Sequence, residues 1–229
     1  TLRTLRILKE VDLIAAEDTR RTIKLLNHYN IKKSLISYHE HNKEARGQLL
    51  IEKLNEGMSI GFVTDAGMPG ISDPGEDLIR LCIEEDIKVI VLPGPTASIT
   101  ALVNSGLPTG KFVFEGFFPS KRKERIKELE RLKGEKRTMI IYEAPHRLLS
   151  LLKDIYEVLG DRRIAISREL TKIYEETFRG CVSEGIKKFE FQEPKGEFVL
   201  ILEGAEIEEE DLFSDISIKE HIELYIKEG

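Results

Sequence analysis

Cysteine is scarce in this sequence, and the scarcity narrows the chemistry at once. Cys82 and Cys181 stand about a hundred residues apart with no Cys-x-x-Cys spacing, so neither a disulfide framework nor a zinc site is supported, and a reduced, cytoplasmic setting fits best. Long apolar runs are also missing. The longest, such as Val89 to Leu92 and Phe198 to Leu202, are strand-sized, whereas a membrane span needs roughly 20 residues. No signal segment is visible. An excess of positive charge is lacking as well: the formal net charge is −6, which argues against a protein that coats nucleic acid through non-specific phosphate neutralisation but leaves room for a local basic patch. Phosphate-binding fingerprints are absent too. There is no Gly-x-Gly-x-x-Gly, and no Gly-Lys-Ser or Gly-Lys-Thr after a glycine-rich stretch, which speaks against ATP, GTP or NAD as the ligand.

What remains is ordinary globular material, 229 residues with 41% apolar and 33% charged, enough for one or two compact domains. Leu2, Leu5 and Leu8 form the stripe of an amphipathic helix over Thr1 to Glu10. A helix in that place is a crossover that should itself follow a strand, so an upstream strand and loop are expected. Strands at Asp12 to Glu17, Ser34 to His39, Ser59 to Asp65 and Lys88 to Leu92 then alternate with helices at Thr19 to Tyr29, Lys43 to Glu56, Gly75 to Glu85 and Thr96 to Ser105. The alternation predicts an α/β domain with a parallel, doubly wound sheet.

Gly106-Leu107-Pro108-Thr109-Gly110 is a breaker cluster and marks the expected boundary, giving domains at 1–108 and 109–205. Beyond it, strands are expected at Phe112 to Phe117, Thr138 to Glu143, Arg163 to Leu170, Tyr174 to Arg179 and Glu197 to Glu203, with helices at Arg122 to Lys133 and Arg147 to Leu159. Consecutive strands with no helix between them imply a mixed α+β domain. Residues 206–229 read as an acidic linker followed by a short helix cut off in mid-pattern.

The turn from Asp65 to Gly75 places three glycines and two prolines at a strand's carboxyl end, where open α/β sheets bind ligands. Glycines let backbone groups approach a ligand and prolines order the loop beforehand. A plain connection there needs only about 2 to 6 residues. Pro93-Gly94-Pro95-Thr96-Ala97-Ser98 is either a second ligand loop or an ordinary helix start. Glu17-Asp18-Thr19-Arg20-Arg21 and Ser37-Tyr38-His39-Glu40-His41-Asn42 add acids, an arginine and two histidines at neighbouring strand ends. Asp18 serves there as a helix cap or as a site residue. One His-x-His without a third ligand makes a poor metal site, so no metal is expected and a proton acceptor or substrate clamp fits better. Residues 111–137 carry ten Lys or Arg against five Glu, a local excess of 10 − 5 = +5 that suits either a solvated helix or a phosphate-contacting patch.

These motifs, together with Glu115-Gly116-Phe117, Tyr142-Glu143-Ala144-Pro145-His146-Arg147, Arg168-Glu169-Leu170-Thr171-Lys172 and Lys195-Gly196-Glu197-Phe198, resemble the ribosomal RNA small subunit methyltransferase I family, a branch of the tetrapyrrole-methylase-like class III methyltransferases. The resemblance covers nearly the whole chain. It implies methyl transfer from S-adenosyl-L-methionine (SAM) to the 2′-hydroxyl of a cytidine ribose in the decoding region of small-subunit (16S) ribosomal RNA, by a cytoplasmic homodimer with a SAM pocket between two domains. On that pattern Asp65, Ala66, Gly67, Met68, Ser72, Thr96 and Ala97, with Tyr142, Glu143, Lys195 and Gly196, are expected to hold the cofactor. Met68 stands where the family more usually has Thr, and the family's opening strand and Thr-Pro-Ile-Gly-type loop do not occur in this sequence. His39 or His41 is expected to take the hydroxyl proton, with Asp18 orienting it and Arg20 gripping a phosphate. Asn42, Lys121, Arg122, Lys123 and Arg147 complete the expected substrate contacts. A tetrapyrrole methyltransferase and a non-catalytic RNA-binding or ribosome-assembly factor are the alternatives.

Overall fold

The structure is a computed structural model that describes residues 1–205. Two compact units divide the chain after Thr100. In the first, strands β1 (Leu13–Ala16), β2 (Ser34–Ser37) and β3 (Ile60–Val63) pair in parallel in the order β2-β1-β3. Helices α1 (Leu2–Glu10), α2 (Thr19–His28), α3 (Lys43–Asn55) and α4 (Glu76–Glu84) surround them. The central strand is buried at all four positions, as a parallel strand covered on both faces must be. Its alternation sorts the helices. Ile14 packs with Leu8, Val11, Leu26 and Ile31 from the α1 and α2 side, while Leu13 and Ala15 pack with Leu50, Ile51, Leu78 and Cys82 from α3 and α4. That two-sided wrapping is the doubly wound arrangement. It brings the carboxyl ends of β1, β2 and β3, and the loops that follow them, to one edge.

One expected strand does not form. Residues 88–92 pair with no described strand, and Val89, Ile90 and Val91 are exposed. A strand exists through its ladder, so an apolar run with β propensity is not one until it has a partner.

In the second unit, β4 (Phe112–Phe117), β5 (Thr138–Glu143), β6 (Arg163–Arg168), β7 (Glu176–Cys181) and β8 (Phe198–Leu202) form a mixed sheet in the order β4-β5-β8-β6-β7. The last strand inserts antiparallel to both β5 and β6 and is buried throughout. Helix α5 (Ala97–Ser105) runs across the division between units, and its end is tied to β7: Asn104 donates to Thr177 at 2.9 Å and accepts from Arg179. Helices α6 (Arg122–Arg131), α7 (Pro145–Leu159) and α8 (Val182–Phe191) cover one sheet face through Leu129, Leu148, Leu151, Leu152, Ile155 and Phe189. The sequence reading has no helix at α8. Val182, Ile186 and Phe189 do carry its i, i+4, i+7 stripe, and Cys181 N donates to Glu184 at 2.9 Å across its first turn. The acidic linker and short helix expected for 206–229 lie outside the described residues.

Candidate active site

At the carboxyl edge of the three-stranded sheet lies a cleft of about 380 Å³ lined by Glu17, Asp18, Arg20, His39, His41 and Asp65, with Thr19 and Ser37. A second hollow of about 460 Å³ shares Glu17, His39 and His41 and extends to Gly70, Ser72, Asp73 and Pro74. Four proton-handling or anion-gripping candidates and the glycine-rich turn thus meet at one place. They come from three strand ends because a parallel sheet points all its carboxyl ends the same way.

Asp18 does two things. Its Oδ1 caps α2 by accepting the Arg20 amide at 2.8 Å. Both carboxylate oxygens also take the Arg20 guanidinium, at 3.1 and 2.8 Å. The Arg20 side-chain and backbone hydrogen bonds hold the Asp18 carboxyl down from 3.8 to about 2. Arg20 remains largely exposed on its outer side. Asp65 accepts an ion pair from Arg21 at 3.3 Å, and Glu17 takes the Asp65 amide at 3.1 Å, which joins the β1 and β3 ends.

On the β2 side, Asn42 organises the loop. Its Oδ1 accepts the His39 amide at 2.9 Å, and its Nδ2 lies 3.2 Å from His39 Nε2 and 3.3 Å from Ser37 Oγ. The His39 and His41 rings stand edge to face with centroids 6.0 Å apart. Asn42 therefore faces inward, toward its own loop.

The turn from Asp65 to Gly75 needs its glycines. Gly67, Gly70 and Gly75 have φ of +80°, +82° and +134°, and Ser72 sits at +58°. A Cβ on Gly75 would stand 2.5 Å from Phe62 Cε1. Ala66 and Gly67 are exposed and Met68 half-buried. Thr64 Oγ1, just before the turn, is buried without a hydrogen-bond partner. Thr96 precedes α5 and gives its carbonyl to the Thr100 hydroxyl at 2.7 Å, while Ala97 opens the helix.

The second-unit candidates are held as follows. Tyr142 is half-buried, edge-on to Phe114 and Phe117. Glu143 is fully buried, and burial raises its pKa; Oε1 accepts the Ala144 amide at 2.8 Å and faces Arg147 Nε at 3.1 Å. Arg147 also donates to the Phe118 carbonyl at 2.5 Å, which commits it to bracing the chain. Lys195 is exposed beside Glu193, and Gly196 has φ of +88° with a Cβ position 2.5 Å from Glu169 Cγ. In the basic segment, Arg122 pairs with Asp154 at 2.8 Å and Glu157 at 2.6 Å, Lys121 pairs with Glu124 at 3.3 Å, and Lys123 is exposed. Glu17, Ser37, Asp73 and Pro74 are cleft residues outside the expected set. Glu17 opens the Glu-Asp-Thr-Arg run and was legible as a strand-end residue.

Residues 1–184 match the family model described as Tetrapyrrole (Corrin/Porphyrin) Methylases, so the fold is that of a methyltransferase of that class. Among solved structures, the methyltransferase CobJ shares the fold with a TM-score of 0.65 at 18% identity, covering 90% of this chain and 88% of its own. Uroporphyrin-III-C-methyltransferase from Thermus thermophilus gives 0.62 at 19%, covering 88% and 86%. The chain is 50% identical to the ribosomal RNA small subunit methyltransferase I of Halalkalibacterium halodurans, over all of this chain and 80% of that protein. It is 48% identical to the Bacillus subtilis protein of the same name, with the same two coverages, 100% and 80%. This chain belongs to the ribosomal RNA small subunit methyltransferase I family.

Proposed function

We propose that this enzyme methylates the 2′-hydroxyl of a cytidine ribose in the decoding region of small-subunit (16S) ribosomal RNA, using SAM, as a cytoplasmic homodimer. The observation that carries the reading is the cleft that unites Asp18, Arg20, His39, His41 and Asp65 at one sheet edge. Among the described residues no helix is long and apolar enough to cross a membrane.

The residues present suit the cofactor. Asp65, Ala66, Gly67, Met68 and Ser72 form an exposed or half-exposed turn whose backbone is opened by left-handed glycines, and the Thr64 hydroxyl beside it is an unmet polar group. SAM carries amine, carboxylate and hydroxyl groups and no phosphate, which such a turn can hold without a P-loop lysine. Thr96, Ala97, Tyr142, Glu143, Lys195 and Gly196 complete the proposed contacts. When bound, SAM supplies an electrophilic methyl on a sulfonium.

The protein's own task is alignment and proton removal. Displacement at the methyl carbon requires the hydroxyl oxygen in line, so positioning supplies most of the acceleration. A ribose hydroxyl is a weak nucleophile, and a base within hydrogen-bond reach, His39 or His41, relieves it of its proton. Arg20, exposed on its outer side and oriented by Asp18, grips a phosphate near the target. Lys121 and Lys123 present exposed cations to the RNA backbone. Asn42 shapes the loop after β2, and within the second unit Arg147 braces the chain at Phe118 and Arg122 ties α6 to α7.

The test is incorporation of label from methyl-labelled SAM into purified small subunits or free small-subunit RNA, followed by mapping of the modified nucleotide. Methylation of one ribose 2′-oxygen in either is the expected result. No incorporation, or label on a base, overturns the reading.

A further inference from the structure

The two histidines do not offer the same chemistry, and the hydrogen bonds around Asn42 tell them apart. The His39 main-chain N–H can only donate, and it points to Asn42 at 2.9 Å. The Asn42 atom receiving it is therefore the oxygen, and the other terminal atom is the NH₂ group. That NH₂ faces His39 Nε2 at 3.2 Å and can only donate to it. Nε2 must then present its lone pair to Asn42, which places the ring proton of neutral His39 on Nδ1. Nδ1 is itself sealed from solvent with no partner. His39 thus has one nitrogen whose lone pair is occupied and one that already carries hydrogen. In this arrangement neither is free to accept a proton from a substrate hydroxyl.

His41 differs on each point. It is exposed, it lines both hollows, and its ring stands edge-on to the fixed His39 ring. Four of the carboxylates around it are engaged elsewhere: Asp18 by Arg20, Asp65 by Arg21, Glu40 by Lys43 at 2.7 Å, and Glu17 by the Asp65 amide; Asp73 and Glu76 line the second hollow with it.

We propose that His41 is the proton acceptor of the methyl transfer, and that Asn42 and His39 are positioning residues, Asn42 fixing His39 as the Nδ1–H tautomer and His39 forming the wall against which His41 stands. The inference rests on the proposed reaction for its kinetic part only. In that step the 2′-oxygen to carbon bond forms as the carbon to sulfur bond breaks, the electron pair leaves on sulfur, and the hydroxyl proton passes to His41.

Two measurements on the full chain test it. Long-range proton–nitrogen correlation spectra of ¹⁵N-histidine protein, assigned with His39→Gln and His41→Gln, should show His39 as the Nδ1–H tautomer. Asn42→Asp puts an acceptor opposite Nε2 and should move the proton there; if His39→Gln does not fold, this switch alone assigns the signal. An Nε2–H tautomer in the unaltered protein overturns the assignment. In single-turnover methylation with saturating SAM and RNA, His41→Gln should slow the step by about 10²-fold, the scale of a lost general base, with SAM affinity retained. The loss at His39→Gln should be at least about tenfold smaller. Equal losses, or a larger one at His39, overturn the base assignment. Failure of the unaltered enzyme to methylate small-subunit RNA would overturn the proposed function and His41's role with it, while the tautomer is still read directly.

Discussion

Gly75 shows how much one position can carry. Its φ of +134° lies outside what an L side chain adopts, and its missing Cβ leaves room for the Phe62 ring. Gly75→Ala is expected to destabilise the protein by roughly 2 kcal/mol or more, read as a lower urea midpoint, because strain and overlap act together. Gly67→Ala, with the same sign of φ but open space around it, should cost less. Asp18 allows a prediction in pH. Its folded pKa is depressed below the unfolded value, so its contribution to stability is present above about pH 4 and lost as the pH falls toward 2. Asp18→Asn should flatten that part of the stability-versus-pH curve, measured by chemical denaturation from pH 6 down to 2.5 (a range chosen to bracket roughly the carboxylate pKa values). The turn's glycines were legible residue by residue. The Asn42 to His39 geometry was not, since a side-chain hydrogen bond depends on rotamers that sequence does not specify.

At the scale of elements, the joint between α6 and α7 shows why a charged segment can belong to a core. Arg125 and Asp154 are almost fully buried, pair at 2.5 Å, and share Asp154 with Arg122 at the rim. Asp154→Ala would leave a buried guanidinium unpaired and is expected to destabilise by about 3–5 kcal/mol. A double change, Arg125→Met with Asp154→Leu, should recover most of that in thermal denaturation, since no charge is then stranded. Of the ten cations in 111–137, Arg122 and Arg125 are held by Asp154 and Glu157 from outside the segment, which lowers the local excess, whereas Lys121, Arg131 and Arg137 pair with glutamates already counted in it. Helices and strands with strong periodicity were readable. Helix α8 was not, because its short stripe follows directly on a strand with only Cys181 at the junction, and residues 88–92 fell short of a strand for want of a partner.

For the molecule as a whole, charge and ligand linkage give the tests. A chain of net charge −6 that binds RNA must do so through local cations, and its affinity should fall steeply with salt. Lys123→Ala should lower the slope of log K against log salt by roughly 1 without changing SAM affinity, as measured by filter binding and calorimetry. SAM at a hundred times its dissociation constant should stabilise the fold by about 2.7 kcal/mol, seen as a rise of several degrees in Tm. No rise would contradict the assignment of the glycine-rich turn to the cofactor.

By itself the sequence determined the alternation of the first three strands with their helices, the mixed character of the second domain, the glycine-rich character of the turn from Asp65 to Gly75 and the family motifs. Those follow from local rules: apolar period, breaker chemistry and the backbone freedom of glycine act within a few residues of where they are written. Only the tertiary structure decided that Asp18, Arg20, His39, His41 and Asp65 share one cleft, that Arg122 and Arg147 are committed to ion pairs and main-chain carbonyls, and that His39 Nε2 faces Asn42 while His41 is exposed. Each of these depends on contacts between segments or on the direction of a side chain, and those are settled by packing across the whole fold.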